Sequence, residues 1–171
     1  MTIHTEHPFL EPESERDPVR RLRGRLGGVV TLWTTGGPRS HTGLTVSSMM
    51  VAGGEPARLL GLVDPDSDLA LALCDGGTAV VQLLQWGHRD IAEAFAGTAP
   101  APGGMFRLGD WTDTPWGPLL DGASAWAAIR VAQPGREVGW SLLLEGVVEK
   151  VEIRDDEVPL VHRRGRYQRP G

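Results

Sequence analysis

Short apolar runs separated by glycine and proline make up most of the hydrophobic pattern of this chain. The runs at 27–35, 43–48 and 57–63 are rich in valine, leucine and threonine, residue types that suit a half-buried pleated surface. We therefore predict three consecutive strands, with a turn at 36–38 between the first two. The middle run, Gly-Leu-Thr-Val-Ser-Ser, carries small and hydroxyl side chains. It is expected to form a ligand-binding edge rather than a core strand.

Further apolar runs predict strands at 78–84, 123–131 and 139–153, the last bent at Gly146, and a short strand or tail at 158–167. Six or seven strands joined by short turns, with only two or three short helices, favour an antiparallel arrangement. The helices are too few to cover a parallel sheet. The predicted fold class is therefore mainly β, an antiparallel β-barrel with peripheral helices.

Three short helices are expected around this barrel. Asp17 and Pro18 suit the N-cap and first position of a basic helix over 19–26, which the glycine pair at 27–28 should end. Asp66 or Ser67 can cap a second helix that runs through Cys74. A third helix is expected over 88–96, where apolar residues share one face.

Two segments lack a periodic pattern of apolar residues. Residues 1–17, which are acidic and contain two prolines, are expected to form a flexible arm in front of one domain over 18–171. Residues 97–121 are rich in glycine and proline and carry several aromatic side chains. We expect this stretch to be a long loop that serves as a lid.

The overall charge limits the classes of partner. The net charge is −5, with a pI of about 5.5, so binding of nucleic acid would need a local basic patch. Four arginines lie at 20–25 and four more at 163–169, but no nucleic-acid motif accompanies them. They are interpreted as solvated surface or as a dimer-contacting tail, and no nucleic-acid partner is expected.

The single cysteine, Cys74, lies in an apolar segment and is consistent with a reducing compartment. No signal peptide is recognised, and no apolar run is long enough for a membrane span. A cytoplasmic protein without a membrane partner is expected.

No metal site is expected. Asp64, Asp66 and Asp68 have the spacing of the first ligands of a calcium loop, but the later ligands of that loop are missing, and a capped turn is favoured. The five histidines show no metal-ligand spacing. Nucleophile, phosphate-loop and dinucleotide motifs are also missing, so no catalytic residue is assigned.

The order of these segments resembles the flavin reductase-like, FMN-binding split-barrel family over residues 20–168. The run at 43–48 is similar to a glycine-hydrophobic-threonine segment of that family. The segments at 80–84 and 91–96 are similar to its buried strand and following helix, and the late runs at 145–148 and 159–167 match in order.

The resemblance implies a homodimeric split β-barrel that holds FMN, or FAD, and accepts hydride from NADH or NADPH. By position, Thr45, Val46, Ser47 and Ser48 would contact the isoalloxazine and ribityl groups, and Ser67 would help hold the phosphate. Gln82 stands where the family usually has asparagine. His88, at the start of the third helix, is a further candidate to face the ligand. The implied function is NAD(P)H-dependent flavin reduction, with reduced flavin passed to a monooxygenase or another acceptor.

The chain departs from this family at Gly139-Trp140-Ser141, where many reductases have Gly-Asp-His. The three aspartates near Ser67 would repel a phosphate unless Arg58 or Arg89 faces the same pocket. Two alternatives stay open: a noncatalytic module that binds flavin, or haem through His88 or His162, and a deazaflavin-dependent oxidoreductase.

Overall fold

The computed structural model describes residues 17–155 and 158–171. The expected flexible arm therefore lies outside the described residues, apart from Asp17. Three α-helices are present in the described part of the chain: α1 (Pro18–Leu26), α2 (Asp68–Leu73) and α3 (Arg89–Phe95). The strands are β1 (Gly28–Val29), β2 (Thr31–Thr35), β3 (Thr42–Val46), β4 (Met49–Ala52), β5 (Arg58–Val63), β6 (Gly77–Leu83), β7 (Trp111–Thr114), β8 (Gly117–Leu120), β9 (Ala125–Val131), β10 (Arg136–Val138), β11 (Ser141–Ile153), β12 (Val161–Arg163) and β13 (Arg166–Gln168).

Eight of the strands form one antiparallel sheet in the order β3-β2-β6-β9-β11-β5-β4, with β10 paired to β11. In a flat sheet, six strand spacings would separate β3 from β4 by about 29 Å. The chain joins these strands through Ser47 and Ser48 alone, a connection that spans at most about 11 Å. The sheet must therefore curl until its ends approach each other. The predicted mainly β, antiparallel split-barrel fold is confirmed.

Trp33 fills the interior of this curled sheet. Its side chain is fully buried, and its indole N–H donates to the Thr31 hydroxyl at 3.1 Å. That hydroxyl donates in turn to the Val46 carbonyl at 2.6 Å. A Cβ atom at position 61 would lie 2.7 Å from the Trp33 ring, so Gly61 leaves the space that this ring occupies. The interior core also contains Leu59, Val63, Leu69, Leu73, Ala79, Val81, Ile129, Val131, Leu142 and Leu144.

A second core lies between the outer face of the sheet and α3. Its buried members are Val30, Leu32, Leu84, Ile91, Ala92, Phe95, Leu120 and Leu160. Phe95 packs directly against β3, because a Cβ atom at position 43 would lie 3.0 Å from its ring. Gly43 therefore allows α3 to approach the edge strand closely.

The prediction of one long loop over residues 97–121 is wrong for the second half of that stretch. That part folds into the β7–β8 hairpin, preceded by a short 3₁₀ turn at Met105–Arg107. Phe106 and Trp111 pack against each other with ring centroids 4.8 Å apart, and Phe106 lies 5.0 Å from Phe95. These aromatic side chains cover the second core instead of forming a free lid.

The local signals for the helix starts are confirmed. The Asp17 carboxylate accepts the Val19 N–H at 3.1 Å, and Pro18 opens α1. Ser67 caps α2, with its hydroxyl accepting the Ala70 N–H at 3.2 Å.

The expected strand count was too low, because thirteen strands are present in the described residues. The extra strands are short and include β4, which the sequence pattern did not separate from β3.

The end of the described chain returns to its beginning. The β12–β13 hairpin pairs with β1 in a three-stranded antiparallel sheet, in which His162 lies opposite Gly28. In addition, the Arg164 N–H donates to the Gly24 carbonyl at 2.8 Å, and the Arg163 Nε donates to the Arg25 carbonyl at 3.1 Å. The hairpin is thereby tied to α1.

Candidate functional site

A cleft of about 970 Å³ lies between α1, the end of β3, the β4–β5 pair and the β12–β13 hairpin. Its lining includes Thr45, Val46, Ser47 and Ser48, which we call the 45–48 segment. This segment covers the end of β3 and the connection to β4. Four of the seven site residues expected from the sequence are thus brought together on one surface.

The 45–48 segment offers the cleft mainly backbone and hydroxyl groups. Ser47 and Ser48 are exposed, whereas the Val46 side chain is buried in the barrel core. The Thr45 hydroxyl donates to the Ala92 carbonyl at 2.7 Å and so anchors β3 to α3. Because β3 is an edge strand, alternate backbone groups point away from β2 and are open to a ligand.

One side of the cleft is strongly basic. We call this side the arginine wall; it consists of Arg20, Arg21, Arg23 and Arg25 from α1 and Arg164 from the turn of the β12–β13 hairpin. Within the described residues, Asp64 is the one lining residue with a carboxylate. The sequence interpretation treated the two arginine groups as separate patches of solvated surface or tail. The structure instead joins five of these eight arginines around a cleft.

His162 also lines the cleft. Partial burial lowers the pKa of its imidazole from the usual 6.5, which favours the neutral ring near neutral pH. Its ring lies 5.4 Å from that of Tyr167, whose own pKa is raised by burial and by the Glu93 carboxylate. The sequence had indicated His162 only as an alternative haem ligand. Its pairing with β1, far away in the chain, brings it to the cleft.

Ser67 is not among the residues that line the cleft. Its hydroxyl donates to the Asp64 carbonyl at 2.7 Å and caps α2. Asp64, three residues earlier, does line the cleft, and its side chain accepts the Asp66 N–H at 2.9 Å. The acidic stretch therefore forms a capped turn, as the sequence favoured.

Within the described residues, no group of three histidine, cysteine or acidic side chains is arranged to hold a metal ion.

Gln82 lies in the core and away from the cleft. Its side chain is fully buried; its amide donates to the Thr34 hydroxyl at 3.0 Å and its carbonyl oxygen accepts the Leu120 N–H at 2.7 Å. These bonds tie β6 to β2 and β8. The expected ligand contact is not possible for a side chain so enclosed, because no part of it reaches the surface.

His88 is likewise outside the cleft lining. It ends the short 3₁₀ turn Trp86–His88, and its Nδ1 accepts the Gln85 N–H at 3.1 Å. Neither Arg58 nor Arg89, which would offset the acidic stretch only by facing the same pocket, lines the cleft. Arg58 pairs with Glu145 at 2.8 Å, and the Arg89 guanidinium lies 4.0 Å from the centre of the Trp86 ring.

Trp140 stands at the turn between β10 and β11 and is 94% exposed. It does not line the cleft, although Leu143, further along β11, does. The departure from the Gly-Asp-His pattern therefore lies on a projecting turn.

Among the helices in the described residues, none has the length and apolar character needed to cross a membrane.

Comparison with known proteins agrees with the sequence resemblance. An FMN reductase (NADH) RutF from Ancylobacter novellus is 34% identical over 113 residues, which are 66% of this chain and 62% of that protein. The RutF of Methylorubrum extorquens strain DM4 is 32% identical over 165 residues, covering 92% of this chain and 79% of that protein. The 4-hydroxyphenylacetate 3-monooxygenase reductase component of Pseudomonas aeruginosa is 26% identical and covers 90% of this chain and 89% of its own.

Among solved structures, the NADH:FAD oxidoreductase SgcE6 of Streptomyces globisporus superposes with a TM-score of 0.81 at 25% identity, covering 95% of this chain and 96% of its own. Residues 23–171 match the family described as flavin reductase like domain. This match includes the 45–48 segment, the β12–β13 hairpin and part of α1. The chain therefore belongs to the flavin reductase like family.

Proposed function

We propose that this chain is an NAD(P)H-dependent flavin reductase that binds flavin and nicotinamide nucleotide in the cleft beside the 45–48 segment. The observation that carries this proposal is the cleft itself. An edge strand with open backbone groups and two exposed serines faces a basic wall across a space of about 970 Å³. The names of the relatives in the same family support reduction of flavin over the noncatalytic and deazaflavin alternatives.

The residues present fit an anionic, partly planar nucleotide. Backbone N–H groups and the hydroxyls of Ser47 and Ser48 suit the polar edge of an isoalloxazine ring, and the arginine wall suits phosphate. When bound, flavin supplies the chemistry by accepting a hydride from the nicotinamide and releasing two electrons to an acceptor. The chain's own residues bind and orient the two nucleotides.

Charge in the cleft favours the reduced product. Main-chain donors on the edge strand would stabilise the negative charge of a reduced flavin ring without having to reorganise. The arginine wall adds a positive field on the opposite side. Partial burial lowers the pKa of His162 and so favours the neutral ring, which offers a hydrogen-bonding nitrogen. No protein acid is required for hydride transfer, which agrees with the lack of an assigned catalytic residue.

A homodimer is part of this proposal. Helix α1 buries none of its residues, and its apolar stripe of Val19, Leu22 and Leu26 is 69%, 60% and 75% exposed. Spacings of three and four residues place these side chains on one face of the helix. A second copy of the chain would cover the stripe, and light scattering of the purified protein would then report about twice the monomer mass of 18.4 kDa.

Two further parts of the proposal concern the cellular setting. Delivery of reduced flavin to a monooxygenase is supported by the name of the Pseudomonas aeruginosa relative, a monooxygenase reductase component. The lone thiol of Cys74 supports a cytoplasmic location.

The test is an anaerobic titration of FMN and FAD with NADH and with NADPH, in the presence and absence of the protein, followed by bleaching of oxidised flavin. We expect protein-dependent bleaching with at least one pair. Equal rates with and without protein for every pair would overturn the reductase assignment. Tight flavin binding with no bleaching would favour the noncatalytic module instead.

A further inference from the structure

The arginine wall is unusual for a chain whose net charge is −5. Five arginine residues line one side of the cleft, and among the lining residues that the structure describes, Asp64 is the one with a carboxylate. In the described part of the chain, ion pairs join His41 to Asp113, Arg58 to Glu145, Arg130 to Glu149 and Arg154 to Glu152. None of these pairs uses an arginine of α1. These four acidic residues therefore do not pair with the arginines of α1.

The wall is also held in place. The Arg164 N–H donates to the Gly24 carbonyl and the Arg163 Nε donates to the Arg25 carbonyl, so α1 and the β12–β13 hairpin are joined to each other. These contacts use the backbone of Arg25 and Arg164, and both residues belong to the cleft lining. A fixed pair of elements that presents several guanidinium groups is suited to an anion with several acceptor oxygens.

We infer that the arginine wall recognises a phosphomonoester group of the nucleotide ligand. The inference rests on the proposed function, because that function makes the ligand a flavin or nicotinamide nucleotide. It moves phosphate recognition away from Ser67, whose hydroxyl caps a six-residue helix and does not line the cleft. A phosphomonoester carries close to two negative charges and three terminal oxygens, and arginine forks bind such groups in a bidentate manner.

Two ligands of this enzyme class carry a phosphomonoester. FMN carries one on the ribityl chain and riboflavin lacks it. NADPH carries one on the adenosine ribose and NADH lacks it. These two matched pairs separate recognition of the phosphate from recognition of the ring system. They also show which nucleotide places its phosphate against the wall.

The experiment uses the full chain with Arg20→Gln and Arg23→Gln together. Glutamine retains high helix propensity and removes the charge. The matched control is Arg39→Gln with Arg136→Gln, two exposed arginines outside the cleft lining whose loss changes the net charge by the same amount. Because α1 buries none of its residues, the cleft variant should keep its fold, which circular dichroism and the melting temperature check.

Equilibrium dissociation constants are measured for FMN, riboflavin, NADPH and NADH without turnover. In the cleft variant we expect one phosphorylated ligand to bind about tenfold more weakly, while its unphosphorylated partner changes by less than about twofold. A loss confined to FMN assigns the wall to flavin, and a loss confined to NADPH assigns it to the nicotinamide nucleotide. The control variant should leave all four constants near their wild-type values.

The inference is overturned if both members of each pair weaken equally, if neither changes, or if the control loses as much as the cleft variant. It is also overturned if the wild-type protein binds FMN no better than riboflavin and NADPH no better than NADH. Failure of the proposed function would look different. It would appear as wild-type protein that does not accelerate flavin bleaching, whatever the ratios of the binding constants.

Discussion

The barrel interior and the cleft contrast in how their side chains are used. Inside the barrel, Trp33 is fully buried, its N–H is bonded to Thr31, and Gly61 leaves space for its ring. Around the cleft, Ser47, Ser48 and all four arginines of α1 are exposed, and α1 buries none of its residues. The interior is packed for stability, and under the proposed function the cleft supplies binding, so substitutions in the two regions should affect different measurements.

The largest expected effect is on stability, from Trp33→Ala. Removing a fully buried indole leaves a large cavity and should lower the free energy of unfolding by about 3–5 kcal/mol. The matched control is Trp140→Ala, since Trp140 is 94% exposed, and it should cost less than about 0.5 kcal/mol. Urea unfolding measures both. Similar losses for the two variants would contradict the assignment of the core.

Gln82→Ala should separate the structural interpretation of this residue from the cofactor contact expected from the sequence. Its loss leaves the buried Leu120 N–H without its acceptor, which should cost about 1–3 kcal/mol of stability. The dissociation constant for FMN should change by less than about twofold. The exposed Gln168→Ala serves as control. A variant that is as stable as wild type but binds FMN poorly would restore Gln82 to the site.

Ser48→Trp should give the reverse of the Gln82→Ala result, with weaker FMN binding and unchanged stability. Ser48 is exposed and lines the cleft, so an indole there would occupy the proposed ligand space without disturbing the core. We expect FMN binding to weaken about tenfold or more, with little change in the melting temperature. Thr98→Trp, at an exposed position outside the cleft lining, is the control. Unchanged FMN affinity in the Ser48 variant would place the ligand elsewhere.

The smallest expected effect is the contribution of His162 to the pH dependence of folding stability. Its folded-state pKa lies below the usual 6.5 because of partial burial. The unfolded state therefore binds more protons in the window below 6.5, so stability should fall as the pH decreases through that window and level off above it. The lowered pKa of Glu149 acts below 4.5, outside this window.

His162→Gln should remove part of that slope. Thermal unfolding of both proteins at several pH values between about 7 and 5 measures it. An identical slope in the variant would show that other groups cause the pH dependence. A steeper slope would mean that the folded state favours the protonated ring, opposite to the effect of burial.

The parts of the fold that follow local rules could be predicted. Asp17 and Pro18 begin a helix, and Ser67 caps another, because the chemistry lies within a few residues. Strand β4 was missed because only Ser47 and Ser48 separate it from β3, and its residues Met50 and Val51 are apolar yet exposed. The β7–β8 hairpin was missed because its glycine and proline residues resemble those of an open loop.

The candidate site was only half predictable for a related reason. The 45–48 segment carries its signal in consecutive residues. Gln82 is explained by its bond to Leu120, 38 residues away, and no local pattern indicates that contact. The arginine wall joins α1 to Arg164 near the other end of the chain. Two basic groups in an acidic chain were a visible signal, but their meeting depends on the pairing of β12 with β1.

The most direct test of the proposed binding site is a crystal structure of the protein grown with FMN. We predict the isoalloxazine ring against the 45–48 segment, with the ligand inside the cleft bounded by α1 and the β12–β13 hairpin. Flavin bound at another surface, or an open cleft at an FMN concentration that saturates binding in solution, would contradict this site.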